Sequence, residues 1–225
     1  MNSKYIVLIP AYNSQSKICD LLLRIQYICK DCLIIVVDDG STDETANILK
    51  KHPGIKYLTN KNNLGKGASL QNGLNYIFQH HSQSSAVVFI DSDLQHEPER
   101  IPDFIEAFEK GRGCFILGKR EFVLQKMPLA RIVSNFITSA LLSLKIKCRI
   151  YDSQCGFRLV SLKVLKVCGP FETKKYEFET ELLIKAAKQG ASFYTIEIPT
   201  IYNDEISYIK GFRDTFAFIK AFIKY

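Results

Sequence analysis

Leu33-Ile34-Ile35-Val36-Val37-Asp38-Asp39-Gly40-Ser41-Thr42-Asp43-Glu44 runs from five apolar residues through two acids and a glycine into a capping-type cluster. A short, unbroken apolar run closed by turn residues is the pattern of a strand buried on both faces, and such strands belong to parallel sheets covered by helices. The same pattern recurs outward from this segment. Tyr5–Ile9 stops at Pro10, Ala86–Ile90 closes at Asp91, and Ile55–Leu58 and Cys114–Leu117 are shorter versions. The gaps carry helical stripes, with Ile18, Leu21, Leu22 and Ile25 on one and Leu70, Leu74 and Ile77 on another. Ser41-Thr42-Asp43-Glu44 predicts a capping box, Ser41 accepting from the backbone and Glu44 reaching back. Leu64-Gly65-Lys66-Gly67 opens a third helix whose glycines allow close backbone approach, and Glu97-Pro98-Glu99 opens a fourth. The fold class expected is α/β, a mostly parallel sheet flanked by helices.

After Gly118 the alternation fades. Leu129–Lys145 predicts a helix that is apolar over much of its circumference. A helix at Glu177–Lys188, a strand at Phe193–Ile198 and a C-terminal helix follow. The chain is expected to be one domain, residues 1–118 forming a nucleotide-binding half and residues 119–225 an elaboration.

Composition bounds the function. With 225 residues, 47% hydrophobic and 24% charged, the chain suits a folded domain with a substantial core. No signal-peptide pattern opens it, and the longest apolar stretch, Phe136–Ile146, is shorter than the roughly 20 residues a bilayer requires. A cytoplasmic protein, peripheral on a membrane face rather than crossing it, is therefore expected. The net charge is +7, and residues 119–149 concentrate the excess: Lys119, Arg120, Lys126, Arg131, Lys145, Lys147 and Arg149 stand against Glu121 alone. That stretch is either a solvated basic face or a site for an anionic partner. Seven cysteines in a chain of this type indicate a reducing compartment. Cys29 and Cys32 have CxxC spacing without a second Cys/His pair for zinc, and they follow a helix rather than open one.

In open α/β sheets, ligands bind beyond the carboxyl ends of the strands. Here those ends carry Pro10-Ala11-Tyr12-Asn13, Asp38-Asp39 and Asp91-Ser92-Asp93. If Asp91-Ser92-Asp93 is extended, its two carboxylates share one side and repel unless a cation lies between them. Oxygen ligands favour Mg²⁺ or Mn²⁺, which in turn bridges diphosphate oxygens. A solvated turn is the other reading of the motif.

Ile9-Pro10-Ala11-Tyr12-Asn13, Val37-Asp38-Asp39-Gly40-Ser41-Thr42-Asp43, Asn63-Leu64-Gly65-Lys66-Gly67 and Asp91-Ser92-Asp93-Leu94-Gln95-His96 occur in that order. The set closely resembles family 2 glycosyltransferases of the GT-A (Rossmann-like) fold. Asp152-Ser153-Gln154-Cys155-Gly156-Phe157-Arg158 and Tyr176-Glu177-Phe178-Glu179-Thr180-Glu181-Leu182 resemble the dolichyl-phosphate mannosyltransferase-like, or polyprenyl-phosphate, branch. The resemblance implies inverting transfer of a sugar from GDP-mannose or a UDP-hexose to a polyprenyl phosphate. It implies that Pro10, Tyr12, Asn13, Asp39 and Lys66 hold the donor nucleotide, and that Asp91, Asp93 and Gln95 hold Mg²⁺ or Mn²⁺ with the diphosphate. Arg120, Arg131 and Ser134 fall where that branch grips the acceptor phosphate. The basic stretch agrees, because a lipid phosphate is already ionised and needs positioning rather than a general base. Of these residues Asp91, Asp93, Arg120 and Arg131 are expected to carry catalysis, a membrane surface is the expected partner, and no nucleic acid is expected.

The chain departs from the family pattern at Ser14, where Glu is common, and at Tyr208 after Ser207, where a basic residue often clamps phosphate; Lys210 lies two residues on. Phe212, Phe216, Ile219 and Ile223 stripe the C-terminal helix among lysines and arginines, suiting either an anionic membrane or the chain's own domain. Two other readings remain. One is transfer to a saccharide hydroxyl, with Glu177, Glu179 or Asp152 as base. The other is a catalytically silent nucleotide- or RNA-binding module. A dinucleotide oxidoreductase is disfavoured, since Pro-Ala-Tyr-Asn replaces G-x-G-x-x-G after the first strand. His96 suits either a phosphate contact or a turn.

Overall fold

The computed structural model describes residues 3–121, 129–175, 177–201 and 211–225. Among the described residues seven strands form one sheet: β1 (Tyr5–Ala11), β2 (Leu33–Asp38), β3 (Ile55–Thr59), β4 (Ala86–Phe89), β5 (Phe115–Arg120), β6 (Arg158–Ser161) and β7 (Phe193–Ile198). Their order is β3-β2-β1-β4-β6-β5-β7, with only β6 antiparallel to its neighbours. The helices are α1 (Ile18–Ile28), α2 (Thr45–Lys51), α3 (Lys66–His80), α4 (Ile101–Glu109), α5 (Leu129–Ile146), α6 (Leu162–Cys168), α7 (Glu177–Lys188) and α8 (Gly211–Lys224). The central strands β1 and β2 are buried almost throughout, as unbroken apolar runs require. One core layer packs α1 and α4 against Val7, Ile9, Ile34 and Val36; the other packs α3, α6 and α7 against Ile6, Leu8, Ile35 and Val37.

The strand ends differ from expectation by a residue or two, and the differences matter because they set the rim. Strand β1 continues through Pro10 to Ala11, which pairs with Asp38. Proline is tolerated there because β4 leaves the ladder at Phe89, opposite Leu8, so that edge of β1 is already open. The capping box does not form. Helix α2 starts at Thr45, and Asp43 Oδ1 accepts the Thr45 N–H instead (2.9 Å). Ser41 faces back to β2, its N–H and hydroxyl both donating to Asp38 Oδ1. Pro98–Arg100 forms a single 3-10 turn ahead of α4.

Strand β6 and helix α6, which follows it directly, have no expectation behind them. The four residues of β6 begin with Arg158, whose guanidinium is fully buried yet satisfied by backbone carbonyls: Cys155 (2.7 Å), Ser153 (2.7 Å) and Glu179 (3.2 Å). A charged residue at a strand start reads as surface, whereas here it ties residues 152–158 to α7. Cys29 and Cys32 are joined as a disulfide between α1 and β2; five other cysteines are free. Helix α8 docks on α7 through Phe218, Ala221 and Phe222, leaving Ile219 and Ile223 exposed; the side chains of Phe212 and Phe216 lie outside the described residues. Among the described residues no helix is long and apolar enough to cross a membrane.

Candidate functional site

A cleft of about 500 Å³ opens at the carboxyl ends of β1, β2 and β3, lined by Tyr12, Asp38, Ser41, Tyr57, Asn60 and Lys61 among others. Tyr12, expected at the donor nucleotide, lines this cleft. Asp39, expected there too, is buried and holds the next loop. Its Oδ1 accepts from Asn60 Nδ2 (2.7 Å) and the Leu64 N–H (3.0 Å), and its Oδ2 from the Gly65 N–H (2.7 Å). Asp38 is as deeply buried but borders the cleft, its Oδ2 accepting from the Tyr57 hydroxyl at 3.4 Å. Asn13 adopts a positive φ of 49° and bridges to the neighbouring loop, its Oδ1 accepting the Thr42 N–H (2.9 Å) while its own N–H donates to Ser41 Oγ (2.9 Å). Ser14 makes good use of its small size: its hydroxyl is 2.8 Å from that of Ser92, joining the first loop to the acidic motif.

Asp91-Ser92-Asp93 is a turn, not the extended segment anticipated, because β4 ends at Phe89 and the chain reverses with Leu94 at φ 57°. The two carboxylates therefore have separate surroundings. Asp93 Oδ1 accepts the Gln95 N–H (3.0 Å), and the Asp93 carbonyl accepts from Lys17 Nζ (3.0 Å). Asp91 Oδ1 meets Lys66 Nζ at 2.7 Å, and the same ammonium lies 2.7 Å from Glu179 Oε1. Burial pushes the Asp91 carboxyl up, but Lys66 outweighs it, with His96 and Arg158 adding, and the group titrates below the usual carboxylate range. Burial likewise opposes the Lys66 charge, yet Asp91 and Glu179 together hold it protonated, well above its ordinary value. A narrow crevice beside this trio is lined by Pro10, Gly156 and Arg158. Gly156 cannot be larger, because a Cβ there would collide with the Asp91 carboxylate and lie 3.0 Å from Lys66 Nζ.

Lys66 opens α3, and the glycines flanking it do allow close approach, although to protein rather than to a phosphate. A Cβ on Gly67 would lie 2.6 Å from the Lys175 carbonyl oxygen, and the Ala68 N–H donates to the Lys174 carbonyl (2.9 Å). His96 is 5% exposed with Nδ1 unpartnered, its ring 5.8 Å from that of Phe157; burial drops its pKa to about 4, so it is neutral near pH 7.

On the opposite side of the sheet order, Arg120 closes β5 with its side chain on Asp152. Nε donates to Oδ2 (2.7 Å) and Nη2 to Oδ1 (3.0 Å), a bidentate pair whose carboxylate is wholly buried. Burial raises the Asp152 carboxyl and Arg120 more than reverses that. Asn135 of α5 donates to the same Oδ1 (2.9 Å). Ser139 Oγ accepts the Ser153 N–H (2.9 Å), so α5 rests on the 152–153 loop through polar side chains. Its buried face is Asn135, Thr138, Ser139 and Leu142, whereas Leu129, Val133, Phe136, Ile137, Leu141 and Leu144 are exposed, Phe136 at 74% and Leu144 at 78%. Ser134 sits on the exposed side. Arg131 lies within α5 with its side chain outside the described residues, as do Lys126, Tyr176, Ser207, Tyr208 and Lys210 entirely.

The family model for glycosyl transferase family 2 matches residues 6–169. The chain belongs to glycosyltransferase family 2. It is 30% identical over 216 residues to an uncharacterized protein of Methanocaldococcus jannaschii, covering 91% of each. It is also 30% identical over 223 residues to the UDP-N-acetylglucosamine–dolichyl-phosphate N-acetylglucosaminyltransferase of Methanococcus voltae, covering 88% of this chain and 86% of that one. Among solved structures, glucosyl-3-phosphoglycerate synthase of Mycobacterium tuberculosis with Mn²⁺ and UDP-glucose superposes with a TM-score of 0.73 at 19% identity, over 98% of this chain and 79% of that one. The family 2 glycosyltransferase described here thus has the GT-A fold, and its relatives include a polyprenyl-phosphate transferase.

Sequence reasoning missed two parts of this site. Glu179 is 113 residues from the lysine it binds, and the packing of Gly156 on Asp91 is equally non-local. The Asp152 and Glu179 motifs were visible, but their partners were not.

Proposed function

We propose that this family 2 glycosyltransferase moves a sugar from a nucleotide-diphosphate donor, GDP-mannose or a UDP-hexose, to a polyprenyl phosphate, with inversion and with Mg²⁺ or Mn²⁺. The observation that carries the acceptor is α5: its apolar side faces outward beside Ser134, and its buried side supports the Arg120–Asp152 pair. An isoprenoid chain with an anionic head matches an apolar stripe next to cations, and the acceptor phosphate is its own nucleophile. Arg120 and Ser134, with Arg131 on the same helix, are the proposed phosphate contacts. The activity for which the Methanococcus voltae relative is named supports the same acceptor class.

For the donor, the cleft at Tyr12 and Asp38 is the proposed nucleoside site, with Pro10 and the Asn13 and Asp39 loops as its frame. Asp91, Asp93 and the Gln95 amide offer hard oxygen ligands that fit a divalent ion. Among the described residues no cluster of three or more His, Cys, Asp or Glu side chains forms a metal cage, so a bound ion would draw its remaining ligands from substrate phosphates and water. When bound, the ion stabilises the departing nucleoside diphosphate. The chain's own contribution is to hold donor and lipid phosphate in line, the two halves acting as one domain on a cytoplasmic membrane face.

A hydroxyl acceptor is the second reading, and one group favours it: Glu177 Oε2 is buried without a hydrogen-bond partner, leaving a possible base at the start of α7. Asp152 is engaged by Arg120 and Glu179 by Lys66. The deciding experiment supplies purified protein with labelled GDP- and UDP-sugars, Mn²⁺ or Mg²⁺, polyprenyl phosphate in vesicles and a panel of oligosaccharide acceptors. Label in organic-extractable lipid from one donor is expected, abolished by EDTA. Label only in water-soluble saccharide would transfer the assignment to the hydroxyl reading.

A further inference from the structure

Lys66 is poised between two carboxylates from opposite halves of the chain, Asp91 after β4 and Glu179 in the first turn of α7, at 2.7 Å from each. Its side chain is 17% exposed, Glu179's 11% and Asp91's 24%, so solvent screens these charges poorly. The arrangement is fixed rather than incidental. The missing side chain of Gly156 leaves the room that the Asp91 carboxylate occupies beside Lys66, and Arg158 donates to the Glu179 carbonyl (3.2 Å), anchoring the turn that carries the Glu179 carboxylate.

We propose that Glu179 is a positioning residue that sets the affinity of the acidic motif for its divalent ion by holding Lys66. The inference rests on the metal part of the function proposed above, not on the lipid acceptor. With Lys66 shared, the trio carries a net charge of −1 and accepts a divalent cation with attraction to spare. Without the Glu179 charge, the trio falls to a net charge of zero, and the incoming ion loses that attraction. Without the Lys66 charge, two carboxylates face the ion. The opposed signs separate this role from a merely structural one, because loosening the site would weaken metal binding in both cases.

The test is Mn²⁺ binding to the full-length protein, read from loss of the free-ion electron paramagnetic resonance signal, with no donor or lipid present. Glu179→Gln is expected to weaken Mn²⁺ binding roughly tenfold and Lys66→Gln to tighten it by a similar factor. Lys66→Arg, which keeps the charge, should stay within about threefold of the wild type. The proposal is overturned if both Gln variants shift binding the same way, if Glu179→Gln leaves it unchanged, or if the wild type binds no Mn²⁺. Should Lys66→Gln not fold, Lys66→Met, which removes the same charge and keeps the length of the side chain, takes its place with the same expected tightening. Opposed shifts in a protein that makes no lipid product would keep this inference and remove the lipid acceptor. Lipid product with Mn²⁺ affinity indifferent to Glu179 would do the reverse.

Discussion

The donor rim and helix α5 are built on opposite plans. At the rim, apolar strands run inward and their polar ends come out, so every carboxylate sits where a buried parallel sheet delivers it. In α5 Asn135, Thr138 and Ser139 point in, with Leu142 the one fully buried apolar residue among those described, and six large apolar side chains point out. The first arrangement follows from the hydrophobic effect acting on one chain; the second opposes it, and exists only because Asp152 and the 152–153 backbone give Asn135, Thr138 and Ser139 partners. The rim is therefore stabilised by its own burial, and α5 by a polar network at its base.

The largest test of that contrast is Arg120→Ala. It leaves the buried Asp152 carboxylate without its bidentate partner, and removing one member of a buried pair costs about 3–5 kcal/mol. Chemical denaturation should show the loss, along with collapse of lipid transfer. A cost under about 1 kcal/mol would mean that α5 does not depend on this pair. Next is Ser139→Ala, which strands the buried Ser153 N–H and should cost about 1–3 kcal/mol in the same measurement. No loss would break the claim that the polar face is the packed one. The smallest expected effect is on the other face. Phe136→Asp combined with Leu144→Asp should change stability by less than about 0.5 kcal/mol per site. The same pair should lower co-sedimentation with anionic vesicles and transfer to polyprenyl phosphate, while nucleotide binding in the cleft is unchanged. Unfolding of that double variant would show that α5 packs through its apolar side after all.

The contrast also explains what the sequence could disclose. Strands β1 to β4 and the bounds of α7 and β7 are legible because periodicity and turn residues are local signals. Asp91 and Arg120 are singled out in the sequence because family-like motifs and strand ends coincide there; their pairing with Lys66 and Asp152 is not. Asp39 was assigned to the nucleotide, yet its oxygens serve the Leu64 and Gly65 amides, a choice that adjacent identical residues conceal. The orientation of α5 is illegible for a different reason. Its apolar residues are numerous enough to suggest a core helix, and only the partners offered by residues 152–153, some 15 positions beyond Thr138 and Ser139, decide which side is inside. Arg158 is the same lesson in one residue: charged in the sequence, wholly interior in the fold.

The outward stripe of α5 has a consequence for anyone improving this enzyme by design. Leu129, Val133, Phe136 and Leu144 add little to folding, so a selection for yield, thermal tolerance or low aggregation would exchange them for lysine and glutamate without resistance. On the function proposed here, each such exchange would give a better-behaved protein and a poorer catalyst, and no assay of the free protein in buffer would register the difference.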